Sequence, residues 1–101
     1  FRPWDRGDLL RRMRTFRASS WFGKPAACGA VECARRGWAN SGFDLLTCAA
    51  CQAQLRFPVP AKWTPDLVED AGARFAELLE AGHKALCPWR SARCAAALAA
   101  P

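Results

Sequence analysis

The chain has 101 residues, 15 Lys and Arg against 9 Asp and Glu, a formal charge of +6, 5 Trp and 6 Phe. That leaves room for a single domain over 1–101 with a thin core, because much of the 51 % hydrophobic content is alanine, which buries little area. Aromatic content and mixed charge exclude a fibrous or wholly disordered chain, and the shortness of every uncharged run excludes a helical membrane span.

The opening Phe1-Arg2-Pro3-Trp4-Asp5 runs into arginines, not into the apolar stretch of a secretory leader. It begins without Met and reads as a piece of something longer. Leu9, Leu10, Met13 and Phe16 recur at helical spacing behind Asp5 and Asp8, which suit a cap, so the pattern predicts a helix over roughly 6–17. Ala18 to Ala30 carries Ser19, Ser20, Gly23, Pro25 and Gly29 and reads as an ordered loop held by Trp21 and Phe22. Cys33 to Arg36 predicts a helical turn that stops at Gly37. Trp38-Ala39, a turn at Asn40-Ser41-Gly42, and Phe43 to Thr47 then predict a hairpin, with Gln52 to Phe57 as a third strand. Pro58 and Pro60 end that strand. Thr64-Pro65-Asp66 is a helix start, and Val68, Ala71, Phe75, Leu78 and Leu79 make the apolar stripe of a helix over about 65–82 or longer. The core is expected over about 2–90, with an alanine-rich helix at 91–101. The fold class is α+β: a three-stranded antiparallel sheet with flanking helices.

Six cysteines in so short a chain point either to a disulfide scaffold or to a metal site. Spacing separates the two. Cys48-Ala49-Ala50-Cys51 is a C-x2-C knuckle that aims two thiolates at one ion, and His83 and Cys87, four apart, share a face if they lie on a helix. Together they make a closed set of three cysteines and one histidine for a single structural Zn2+. Loading the ion lowers the charge from +6 to about +5, as three thiols lose protons. Cys28, Cys33 and Cys94 remain, too few ligands for a second site, and are expected as free thiols. Trp38 and Trp89 flank the ligands, where a tryptophan more often walls a metal site than meets a partner. Arg14 is either a buried brace for the loop before the knuckle or a solvated charge. The arginines of 2–17 fall around the helix, so a solvated surface is preferred to a phosphate-binding stripe.

Gly37-Trp38, nine residues, Cys48-x2-Cys51, thirty-one residues, His83-x3-Cys87-x-Trp89 resembles the signature of the NIPA-type zinc-finger family of the nuclear pore basket. Arg2-Pro3-Trp4, Arg14-Thr15-Phe16, Trp21 and Gly23-Lys24-Pro25 resemble the start of that family's module. The ligand order also resembles BIR domains, although those leave about six residues between His and Cys and carry acidic residues after the knuckle, which Gln52 to Trp63 lacks. The resemblance implies a BIR-like zinc module in the nucleus, at the nuclear envelope and pore basket, docking on the coiled-coil basket protein TPR. It also implies an alternative role as substrate-recognition adaptor of a cullin-type ubiquitin ligase acting on cyclin B. A nucleic-acid-binding zinc module is a weaker reading, because no helix sets basic and base-reading residues on one face. No enzyme is expected: the single His is claimed by the metal, and no phosphate loop or paired carboxylates stand in a recognisable setting.

Overall fold

The computed structural model describes residues 1–100. Its elements in chain order are α1 (Arg6–Met13), α2 (Ala30–Arg35), β1 (Trp38–Gly42), β2 (Leu45–Cys48), β3 (Gln54–Arg56) and α3 (Pro65–Ala81), with 3-10 turns at Ala26–Cys28, Pro88–Arg90 and Ala96–Ala99. The strands form one antiparallel sheet in the order β1-β2-β3, the small α+β architecture expected. Among the described residues no helix is long and apolar enough to cross a membrane.

The N-terminal helix is shorter than its apolar spacing predicts. Asp5 caps it by accepting from the Asp8 N–H at 2.7 Å, but it ends at Met13. The Thr15 and Phe16 N–H groups turn back to carbonyls three residues earlier. Thr15 instead bonds the sheet: its hydroxyl accepts from the Asn40 N–H at 2.8 Å and donates to the Arg12 carbonyl at 2.6 Å. Phe16 then meets Trp21 edge to face with centroids 5.6 Å apart.

The hairpin turn is displaced as well. Strand β1 continues through Asn40, Ser41 and Gly42, with a bulge between Asn40 and Gly42, and the turn falls on Phe43-Asp44. Asn40 is buried, and its side-chain amide donates to the carbonyls of Gly42 and Leu45, so it organises the bulge from inside the sheet. Asp44 takes the positive φ of 56° that the turn requires, a conformation Asp tolerates better than most residues. Strands β2 and β3 are accordingly shorter than predicted.

Helix α3 starts where its cap signal places it, with the Thr64 hydroxyl accepting from the Leu67 N–H and Pro65 in the first turn. Phe75 and Leu79 bury its inner face. At Gly72 the helix lies directly on Pro25: a Cβ there would come within 2.2 Å of the proline ring. In the loop before α2, Trp21 is buried and donates to the Cys28 carbonyl at 2.9 Å, whereas the Phe22 side chain is exposed.

The helix expected over 91–101 does not form; the described part, through residue 100, has only the Ala96–Ala99 turn. The Cys94 N–H is held by the Arg35 carbonyl at 2.8 Å, and the Arg6 guanidinium takes the carbonyls of Leu98 and Ala100. Alanine offers too little apolar area to dock a helix, and side chains elsewhere satisfy this backbone instead.

Candidate zinc centre

Two elements and one turn bring the site together. Cys48 ends β2, Cys51 closes the knuckle, and His83 and Cys87 follow α3. In the knuckle the Cys48 N–H donates to the Ala53 carbonyl and the Gln52 N–H to the Cys48 carbonyl, with Gln52 at a φ of 65°. The spacing argument placed His83 and Cys87 on a helical face, but α3 stops at Ala81. A turn closed by the Cys87 N–H on the Lys84 carbonyl, 2.9 Å, makes the pair converge instead.

The donor atoms of Cys48, Cys51, His83 and Cys87 all lie within 4.8 Å of one another. Cys48 Sγ is 3.9 Å from Cys87 Sγ, and His83 Nδ1 is 3.8 Å from Cys51 Sγ and 3.7 Å from Cys87 Sγ. Sulfurs at tetrahedral corners around an ion with bonds of about 2.3 Å stand about 3.8 Å apart, so the cluster has the size of one zinc site. The histidine is oriented for it. His83 Nε2 lies 2.8 Å from the Arg36 carbonyl, which fixes the proton on that nitrogen and leaves the Nδ1 lone pair facing the sulfurs. Three cysteines and one histidine, nearly all buried, fit a single structural zinc ion.

Local electrostatics favour a thiolate at the rim. Although burial opposes it, N–H groups of Lys84 and Ala53 and the His83 ring bring the Cys51 thiol down to about 6. Cys48 is deeper, and burial pushes its thiol up to about 11, against the N–H groups of Cys51 and Ala50. A bound ion would supply the positive charge that favours the thiolate at both sulfurs.

The flanking residues form one interlocked wall. Trp38 is fully buried, stacks on the His83 ring with centroids 4.3 Å apart, and donates its Nε1–H to the Leu79 carbonyl at 2.9 Å. Gly37 adopts a φ of 89°, and a Cβ on it would fall 2.5 Å from the Trp89 ring. Only glycine permits both the turn and the tryptophan beneath it. Trp89, buried, packs edge to face with Phe1, and the Arg12 guanidinium lies over its ring at 4.8 Å.

Arg12 is the residue that sequence reasoning missed. Its Nε donates to the Ala34 carbonyl at 2.9 Å and its Nη2 reaches Cys94 Sγ at 3.4 Å, so one side chain joins α1, α2, the zinc wall and the C-terminal segment. Arg14, two residues on, lies exposed at the end of α1, the solvated of its two expected placements. Counted at about 100° per residue from the buried Leu9, Arg12 borders the inner face of α1 and Arg14 lies away from it. Cys28, Cys33 and Cys94 are buried free thiols away from the cluster. Cys28 donates to the Gly72 carbonyl at 3.1 Å, and burial raises its thiol to about 11.

The description of the NuBaID N-terminal domain, also called zf-C3HC, matches residues 3–101. The chain belongs to this family. It is 31 % identical over 81 residues to the zinc finger C3HC-type protein 1 of human and of Pongo abelii, covering 80 % of this chain and 16 % of each relative. It is 24 % identical over 96 residues to the mRNA export factor rsm1 of Schizosaccharomyces pombe, covering 89 % of this chain and 32 % of that protein. The chain thus spans less than a third of the length of the curated relatives named here.

Proposed function

We propose that this domain is a zinc-stapled protein-interaction module of the nucleus, BIR-like in arrangement, that docks on the nuclear pore basket protein TPR and performs no catalysis. The observation that carries the reading is the interlock itself. Gly37, Trp38 and Trp89 of the basket-type signature touch one another or the ligand His83 instead of facing solvent, so the signature specifies a rigid scaffold. Four protein ligands would complete a tetrahedral ion and leave no position for water, which suits a structural role. The name of the fission-yeast relative, an mRNA export factor, supports a nuclear location.

Part of the basic charge is committed within the fold and not offered to a nucleic acid: Arg12 turns inward, and Arg35 and Arg36 pair with Glu32.

Pull-down with purified TPR tests the proposal. The zinc-loaded wild type should recover TPR and Cys48→Ser should not; failure of the folded wild type, or equal recovery by both, overturns it. Recovery of cullin-ligase components and cyclin B in place of TPR would favour the adaptor reading. In that role the domain would recruit substrate without activating a conjugating enzyme, since one complete ligand set is not the double site of a RING.

A further inference from the structure

The segment that carries two of the four ligands is poorly held by packing. Helix α3 ends at Ala81, and the residues between His83 and Cys87, namely Lys84, Ala85 and Leu86, are all exposed, Leu86 by 97 %. A turn with no buried side chain between its ends takes its shape from hydrogen bonds. The Cys87 N–H on the Lys84 carbonyl closes this one, but no bond within the turn engages the His83 carbonyl.

Arg90 reaches that carbonyl from outside. Its Nη1 donates to the His83 carbonyl at 2.9 Å, and its own N–H donates to the Cys87 carbonyl at 3.1 Å. One residue therefore bonds the main chain of both ligands, whose Nδ1 and Sγ atoms stand 3.7 Å apart. The neighbouring Trp89 fixes the place from which it acts: the indole is buried against Gly37, so the Pro88–Arg90 turn is anchored while the Arg90 side chain stays on the surface.

We propose that Arg90 is a positioning residue of the zinc centre, holding the His83 main chain at the span from Cys87 that a single ion needs. The proposal rests on the four-ligand site and on no partner. The His83 ring is oriented separately by the Arg36 carbonyl, a main-chain group that side-chain substitution does not remove, so Arg90 is the side chain through which the histidine can be loosened. A guanidinium donor makes a stronger bond than a neutral one. Three thiolates around one Zn2+ also leave a net negative charge, which a cation bonded to a ligand's backbone complements. Groups that orient metal ligands typically contribute about ten- to a hundredfold in metal affinity.

The test compares Arg90→Ala and Arg90→Lys with Arg93→Ala, which removes the same charge from a side chain that is 55 % exposed. Zinc affinity is measured by competition with a chelator, and ligand geometry by the visible absorption of protein loaded with Co2+ in place of zinc. Arg90→Ala should bind zinc about tenfold more weakly or worse and shift the Co2+ bands, Arg90→Lys should recover part of the loss, and Arg93→Ala should stay within about twofold of wild type. The zinc-loaded wild type and Arg90→Ala should share one circular dichroism spectrum. Wild-type affinity in Arg90→Ala, a loss matched by Arg93→Ala, unshifted Co2+ bands, or a loss seen only together with collapse of the circular dichroism would overturn the proposal. A wild type that takes up no zinc would remove the centre itself, whereas normal uptake with any of those results removes the role of Arg90 alone.

Discussion

The two ends of the small sheet are held by different chemistry. At one end Trp38 pairs with Cys48, and the ligands of the zinc centre close over them. At the other, the Phe43-Asp44 turn is pinned by Lys24, whose ammonium is 2.5 Å from the Asp44 carboxylate and also donates to the Phe22 carbonyl at 3.1 Å. The Lys24 side chain is only 2 % exposed and lies over the rings of Trp21 and Phe57, while Phe57 in turn stacks on Phe75 at 4.6 Å. One end therefore depends on an external ion and the other on a buried ion pair enclosed by aromatic rings. A thin alanine-rich core leaves neither end able to rely on apolar area alone, and each has its own polar anchor.

The difference can be broken most severely from the metal side. Structural zinc contributes on the order of 10 kcal/mol to small domains, comparable to the whole stability of a domain this size. Chelation or His83→Ala should therefore unfold much of the chain, seen as loss of native circular dichroism and of a cooperative melt. Retention of both would show the ion to be dispensable.

At the opposite end, Asp44→Asn keeps a side chain that tolerates the positive φ but leaves Lys24 buried and uncompensated. A loss of about 3 kcal/mol is expected in urea unfolding of the zinc-loaded protein, with zinc affinity little changed. A large fall in zinc affinity would mean that the two ends are coupled and not separately anchored.

Gly37→Ala should cost about 2 kcal/mol, because it combines a strained φ with a clash against Trp89. It should also alter tryptophan emission, whereas a silent variant would contradict the interlock. The smallest contrast is between neighbours: Arg12→Ala should cost about 1–3 kcal/mol through its orphaned partners, and Arg14→Ala within about 0.5 kcal/mol. Thermal melts of the two variants measure it.

How far these features could be read in advance depended on whether their cause was local. The C-x2-C knuckle, the H-x3-C pair and the Thr64-Pro65 cap are short patterns whose chemistry is complete within a few residues, and all appear where expected. Their supports were not legible in the same way. His83 and Cys87 converge through a turn and not a helix, because α3 ends at Ala81. Arg12 finds its partners in the Ala34 carbonyl and Cys94 Sγ, 22 and 82 residues away in sequence. The hairpin turn moved to Asp44 because Lys24, 20 residues earlier, holds it there.

The amino-acid order alone thus determined the three strands, the capped start of α3, the four ligands and the single ion they fit, since ligand chemistry and capping act over one or two turns of chain. Only the packed structure decided where α1 stops, which arginine braces the tryptophan wall, and that the alanine-rich tail is held by Arg6 and Arg35 without forming a helix. Those outcomes follow from hydrogen bonds between residues distant in sequence, which override local propensity wherever the buried polar group has no nearer partner.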